Sequence, residues 1–480
     1  MIISTFMQPN MIGGWGDSIL ALTMRCKTKT TIFNLIVFKE EAQMKSVKTF
    51  GFALFATFLL FGGQVQGQTL AEAIDTVIQT NPQVRSQVFN RLSRDGEVTQ
   101  AQSGYLPTVD LNAAAGFSKH RKPEPEEDLE PWEASISVRQ NLFTGFATMN
   151  EVDRQRARVR SSAYALQGTS ENLALQTTRA YLDVLRNEEL KRIAEQNRDT
   201  HLRIMDQIKL RSESGVGSQV DTDQVQGRLA LAESNVIVAE TNLLDSYSNY
   251  QSVVGNLPEN LVRPTAPAEK LPSSLEQALE MAVAGHPTLK SANADLEARQ
   301  SQYEVAKGAY YPVVDLELDQ RWDEEVSRVE GERDETIFLA RIRYNLFNGF
   351  KDSGRKAQTL EQVGEAREVK NNTQRQVVES MRLSWMAYQS VLDRIDFLRK
   401  HIESTRETAQ AYSKQFDIGK RTLLDVLDTE AEAINAKIEL VNAEADGLYS
   451  QYRILNSMGS LVHAFDLQWP EESLVDEEEE

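Results

Sequence analysis

The hexapeptide NLFTGF at residues 141–146 returns as NLFNGF at residues 345–350, 204 positions later. The likeness extends both ways from there. Upstream, Leu70, Pro82, Tyr105, Pro107, Asp110 and Leu111 recur as Leu275, Pro287, Tyr310, Pro312, Asp315 and Leu316, displaced by 205. Downstream, Gly215, Asp221 and Gly255 recur as Gly419, Asp425 and Gly459, again at 204. One residue of drift over so long a stretch means that a whole structural unit is duplicated, because chance similarity does not hold register. The two units are expected at 68–262 and 274–462, joined by a linker at 263–273.

After each hexapeptide the pattern is helical. Residues 146–211 contain no proline, and at about 1.5 Å per residue such a helix spans about 100 Å. In the second copy Val377, Met381, Ser384, Tyr388, Val391, Ile395, Leu398 and Ile402 alternate spacings of four and three, the seam of a coiled coil. In the first, Val152, Val159, Leu166, Leu173 and Ala180 recur every seven residues. Partner helices are expected at 221–254 and 425–455, the latter with Ile434, Ile438, Val441, Ala445, Leu448, Tyr452 and Leu455 as its seam. Being about half as long, they leave room for the shorter helices at 70–104 and 275–308, stacked end to end with them.

Before each hexapeptide the period changes to two. Val109, Leu111, Ala113, Ala115 and Phe117 alternate with polar or small residues, as do Trp132, Ala134, Ile136, Val138 and Leu142. In the second copy Val314, Leu316, Leu318 and Trp322 alternate with Asp315, Glu317, Asp319, Arg321 and Asp323. Phe338, Ala340, Ile342, Tyr344 and Leu346 make the fourth strand. This is the pattern of a membrane β-barrel, apolar toward lipid and polar toward a wet lumen, although a half-buried soluble sheet alternates in the same way. The row Asp315, Glu317, Asp319 favours the lumen. A lipid-facing sheet must close to satisfy its backbone, and four strands are too few, so several chains must contribute. A threefold assembly would give twelve strands above twelve helical columns. The fold class is therefore mainly α with a membrane β-barrel.

Composition narrows the function. The chain of 480 residues carries Asp+Glu 71 against Lys+Arg 52, a formal charge of -19, with no long basic stretch for nucleic acid. Cys26 is the only cysteine and the five histidines form no ligand pair on one helix face, so neither a disulfide, a metal site nor a cofactor is expected. Met44, Lys45 and Lys48 precede an apolar run at 50–61, and Val65 and Gly67 are placed for cleavage before Gln68, the order of a secretory signal peptide. Residues 1–43 read as an upstream extension, 44–67 as the signal peptide, and 463–480 as an acidic tail ending in the solvated run 476–480. No later apolar stretch reaches the roughly 18 residues of a membrane helix.

Together with the duplicated unit, the Tyr/Pro junctions at 105–107 and 310–312 and the paired hexapeptides, the segment IGKRTLLDVLD at 418–428 resembles the TolC-like outer-membrane efflux proteins over residues 68–462. The resemblance implies a homotrimeric channel-tunnel: a barrel in the outer membrane of a Gram-negative bacterium, a long helical barrel through the periplasm and a mixed collar at its equator. Expected partners are a periplasmic adaptor and an inner-membrane transporter, ABC or proton-driven, serving type I protein secretion or small-molecule efflux. Asp425 and Asp428 fall on the motif's pore-constricting aspartates. Three copies would crowd six carboxylates around one axis, raising their affinity for protons or cations. Arg421 and Asp221 match an entrance latch, in which Phe416 replaces the usual tyrosine. Gly215, Val216, Gly217 and Ile418, Gly419, Lys420 match the tips where adaptors dock, although Gly217 and Lys420 depart from the pattern. A secreted coiled-coil structural protein or adhesin is the competing reading, and it leaves the four strands unused. An enzyme is not expected, since Asp425 and Asp428 have no phosphate loop, nucleophile elbow or histidine beside them.

Overall fold

A computed structural model of the protein describes residues 67–120, 127–215, 217–326 and 331–475. The expected upstream extension, the signal peptide up to residue 66, Val216 and the run 476–480 lie outside the described residues.

The first repeat contains α1 (Leu70–Thr80), α2 (Pro82–Gln102), β1 (Thr108–Ala115), a short hairpin of β2 (Ser118–His120) and β3 (Glu127–Leu129), β4 (Trp132–Phe143), α3 (Ala147–Glu213) and α4 (Gln219–Val254). The second contains α5 (Leu275–Gly285), α6 (Pro287–Lys307), β5 (Val313–Glu324), β6 (Glu332–Arg343), α7 (Lys351–Asp417) and α8 (Leu423–Met458), followed by the single turn α9 (Leu461–Ala464). Both long helices run for 67 residues and both partner helices for 36.

Each shorter helix, expected as one, is two. Pro82 and Pro287 push the residue before them out of the helical region, so Asn81 and His286 adopt extended backbone and serve as N-caps of the next helix. The Asn81 side chain accepts from Gln83 N at 2.9 Å and donates to the Val253 carbonyl at 3.1 Å, which docks the break onto α4. The repeated hexapeptide joins each strand to the long helix that follows it. Gly145 and Phe146, like Gly349 and Phe350, take positive φ at the junction of the strand segment and the long helix. A side chain at residue 145 would collide with the Gly308 carbonyl at 2.5 Å, so glycine is required there.

The four long strands form one antiparallel sheet in the order β1-β4-β5-β6, with Val138 opposite Leu318 and Leu318 opposite Phe338. The fourth strand starts six residues before Phe338, because the charged stretch from Glu332 pairs with β5 as far as Glu324. Residues 344–346, expected in that strand, lie beyond its end.

α3 packs on α2, α4, α6 and α8, and α7 packs on α6 and α8. The main core sits halfway along α3 and α7, where Leu166, Leu173 and Tyr181 meet Ile74, Tyr250, Met381, Trp385 and Tyr452. The single proton of the Tyr181 hydroxyl lies within hydrogen-bond reach of two carbonyls, those of Gln68 at 2.7 Å and Val262 at 2.6 Å. The expected acidic tail begins too early at residue 463, for Phe465, Leu467 and Trp469 pack against this core. Their anchor is Glu171 of α3, which is 2% exposed. Its carboxylate accepts from Leu461 N at 2.8 Å, Val462 N at 3.1 Å and Trp469 Nε1 at 3.0 Å.

Candidate functional site

At the end distal to the sheet each pair of helices turns on a glycine. Gly215 and Gly419 both have positive φ, near 75°, and end their helices in the left-handed conformation that other residues resist. Gly217 N donates to the Arg211 carbonyl at 3.0 Å, and Lys420 N to the Gln415 carbonyl at 2.9 Å. A Cβ at residue 217 would lie 2.7 Å from Ser212 N, so the departure from the family pattern at Gly217 belongs to a tighter turn. Ile418 projects from the second tip, 66% exposed, next to Lys420.

One apolar cluster joins the two tips: Met205 and Ile208 of α3, Val225 of α4, and Leu423 and Leu427 of α8, with Phe416 packed against it. This cluster fixes the charged groups around it. Asp425 is the third residue of α8 and closes a capping box with Thr422. Thr422 Oγ1 and Thr422 N donate to its Oδ2 at 2.8 and 3.2 Å, and Asp425 N donates back to Thr422 Oγ1 at 3.3 Å. The Thr422 hydroxyl and N–H, with Arg421 beside them, hold the Asp425 carboxyl below the usual carboxylate range. That direction is opposite to the rise expected from crowded carboxylates, because within one chain the acid faces donors.

Asp428, three residues on, reaches across to α4, where Arg228 Nη2 lies 2.9 Å from its Oδ1. Arg421 donates to Gln415 Oε1 at 3.0 Å, covers the Tyr412 ring at 4.1 Å and comes within 4.0 Å of Asp425. Among the described residues of one chain Arg421 and Asp221 form no ion pair; the latch expected between them is not made within the chain. Phe416 carries Arg211, whose guanidinium sits 4.4 Å above the ring and donates to the Asp417 carbonyl at 3.2 Å. Arg211, Arg228, Tyr412 and Gln415 were not singled out in the sequence, where a charge near a helix end reads as a solvated one.

At the other end the sheet has two unlike faces. Val109, Leu111, Ile136, Leu318, Phe338 and Ile342 all point to one side and are exposed there. On the opposite face Asp315, Glu317 and Asp323 are buried under arginines: Arg343 on Asp315, Arg341 on Glu317 at 2.8 Å, and Arg321 and Arg333 on Asp323 at 2.9 and 3.0 Å. At the end of β4 and just past β6 two pairs of rings meet edge to face, Phe143 with Phe146 at 5.2 Å and Phe347 with Phe350 at 5.4 Å. Strands β1 and β6 are the edges of the sheet, each paired on one side only among the described residues. Among the described residues no helix is long and apolar enough to cross a membrane and no group of three or more potential ligands could hold a metal ion.

Known proteins resemble this chain over most of its length. The chain is 24% identical over 411 residues to the outer membrane efflux protein BepC of Brucella suis, covering 85% of this chain and 89% of that one. It is 22% identical to the outer membrane protein TolC of Vibrio cholerae, over 83% of this chain and 92% of its relative. The solved structure of CusC superposes with a TM-score of 0.74 at 14% identity, over 82% of this chain and 92% of that one. The sequence model of the outer membrane efflux protein matches residues 73–256 and 278–460, one match to each repeat, and the chain belongs to that family.

Proposed function

We propose that three copies assemble into a single exit duct, their three sheets closing into one barrel of twelve strands in the outer membrane and their long helices continuing it as a tube through the periplasm. The observation that carries this reading is the sheet itself. A face of exposed Leu111, Phe338 and Ile342 backed by a face of paired charges suits lipid on one side and water on the other, and two open edges suit closure by neighbours. The duct conducts passively: no step in it requires a catalytic group. An inner-membrane transporter and a periplasmic adaptor deliver the substrate, a secreted protein or a small toxic compound, and the adaptor engages the tips at Gly215–Gly217 and Ile418–Lys420.

The entrance lies at those tips. Asp425 and Asp428 of three chains narrow it, and Arg421 of one chain links to Asp221 of the next. An exposed pair of this kind contributes only about 0 to 1 kcal/mol, so the closed entrance is held softly. Planar-bilayer recording tests the reading. The wild-type protein is expected to give small, cation-selective currents that Mg²⁺ reduces, and Asp425→Asn with Asp428→Asn, which spares the capping geometry, is expected to relieve that block. Equal block in both proteins would refute the carboxylate constriction.

A further inference from the structure

Asp425 and Asp428 sit three residues apart on one helix, yet the structure treats them differently. Asp425 is committed to the capping box of its own helix, whereas Asp428 is held by a cation from the other repeat. Resting on the entrance reading above, we propose that Arg228 is a built-in counter-charge that occupies Asp428 while the entrance is closed and exposes it to permeating cations when the α7/α8 pair moves away from α4.

The position of Arg228 is imposed by packing. Val225 and Ala232, three residues before it and four after, are fully buried on α4, so Arg228 lies on the stripe that faces the other repeat. Val225 shares its cluster with Leu423 and Leu427, the second of which immediately precedes Asp428 on α8. Two apolar contacts thus set the guanidinium opposite the carboxylate. The pair is also one-sided. By the 204-residue displacement, Asp428 corresponds to Gln224 and Arg228 to Glu432, so the duplication supplies no second copy of this contact. It belongs to the junction of the two repeats at the α4 and α8 tips.

The consequence concerns ion binding. A carboxylate with a guanidinium at 2.9 Å has its charge largely cancelled toward a third ion, and each partner keeps a third or more of its side chain in water, so the contact breaks cheaply. A closed entrance then presents three fewer unpaired charges than an open one. Arg228 is a positioning residue for Asp428, and its effect is read through divalent block.

The test uses the full-length protein in planar bilayers, with Mg²⁺ as the probe and four proteins: wild type, Arg228→Gln, Asp428→Asn and the double variant. Arg228→Gln is expected to lower the half-blocking Mg²⁺ concentration about tenfold. The double variant is expected to match Asp428→Asn alone, and Arg228→Lys to restore wild-type block. Unchanged block in Arg228→Gln, or the same tightening in the Asp428→Asn background, would overturn the proposal while leaving the duct intact. Wild-type protein that forms no channel would overturn both.

Discussion

α3 and α7 have the same length, follow the same left-handed phenylalanine and end at the same glycine turn, but they live in different surroundings. α3 buries 22 residues and α7 only 10. The difference is plain at residue 171 and its repeat equivalent, 375. Glu171 is buried and grips the chain after α8, whereas Arg375 is exposed. α3 has become the strut against which helices of both repeats and the chain after α8 pack. α7 and α4 keep apolar residues in the open, among them Leu360, Leu383, Met386 and Phe397 on the one and Leu231, Ile237 and Leu244 on the other. A duplicated unit therefore yields one helix that is largely buried within the chain and another that leaves apolar residues exposed, the surface that the proposed assembly would cover.

The comparison breaks most visibly at Glu171. Glu171→Ala strands three buried N–H donors, each worth about 1 to 3 kcal/mol, so a loss of about 3 kcal/mol or more is expected. Arg375→Ala is expected to stay within about 0.5 kcal/mol, and thermal unfolding followed by tryptophan fluorescence distinguishes the two. The same site gives a pH signature. Burial pushes the Glu171 carboxyl up to about 7, against donors from Val462, Trp469 and Leu461 that pull it down. An acid whose folded value lies above its unfolded one stabilises the fold most below the unfolded value near 4.5. That contribution, about 3 kcal/mol at most, is lost as pH rises through 7. His463, lowered by burial, works in the other direction, and Glu171→Gln isolates the carboxyl by removing only its share of the slope.

Why some of this was legible in the sequence and some was not follows from what periodicity records. The heptad Val152, Val159, Leu166, Leu173, Ala180 marks residues facing inward, and all but the half-buried Val159 are buried. The seam assigned to α8 was less faithful. Ile434, Ile438 and Val441 are only half-buried, while Ala433, Ala436, Ala443 and Gly447 make the close approach. A Cβ at residue 447 would come within 3.1 Å of the Ile395 side chain, and a pattern of large residues cannot reveal a contact built from small ones. The breaks before Pro82 and Pro287 were visible as proline but were absorbed into one long helix. The alternating strands and the glycine tips could be read directly, because each depends on local backbone geometry. Arg228 and Arg211 could not, because their partners stand about 200 residues away in the chain.

A finer contrast separates the two tips. Thr422 closes a two-way capping box, whereas its counterpart Ser218 makes a single bond to Val220 N at 3.2 Å. Thr422→Ala is expected to cost about 1 kcal/mol and Ser218→Ala about half as much, with hydrogen exchange at the start of α8 rising more than at the start of α4.

The account as a whole stands on closure of the sheet by other copies. Native mass spectrometry of protein extracted from outer membranes measures this most directly. Complexes of three chains are expected, with no population of free monomer in the soluble periplasmic fraction. A stable, water-soluble single chain would contradict the barrel and everything placed above and below it.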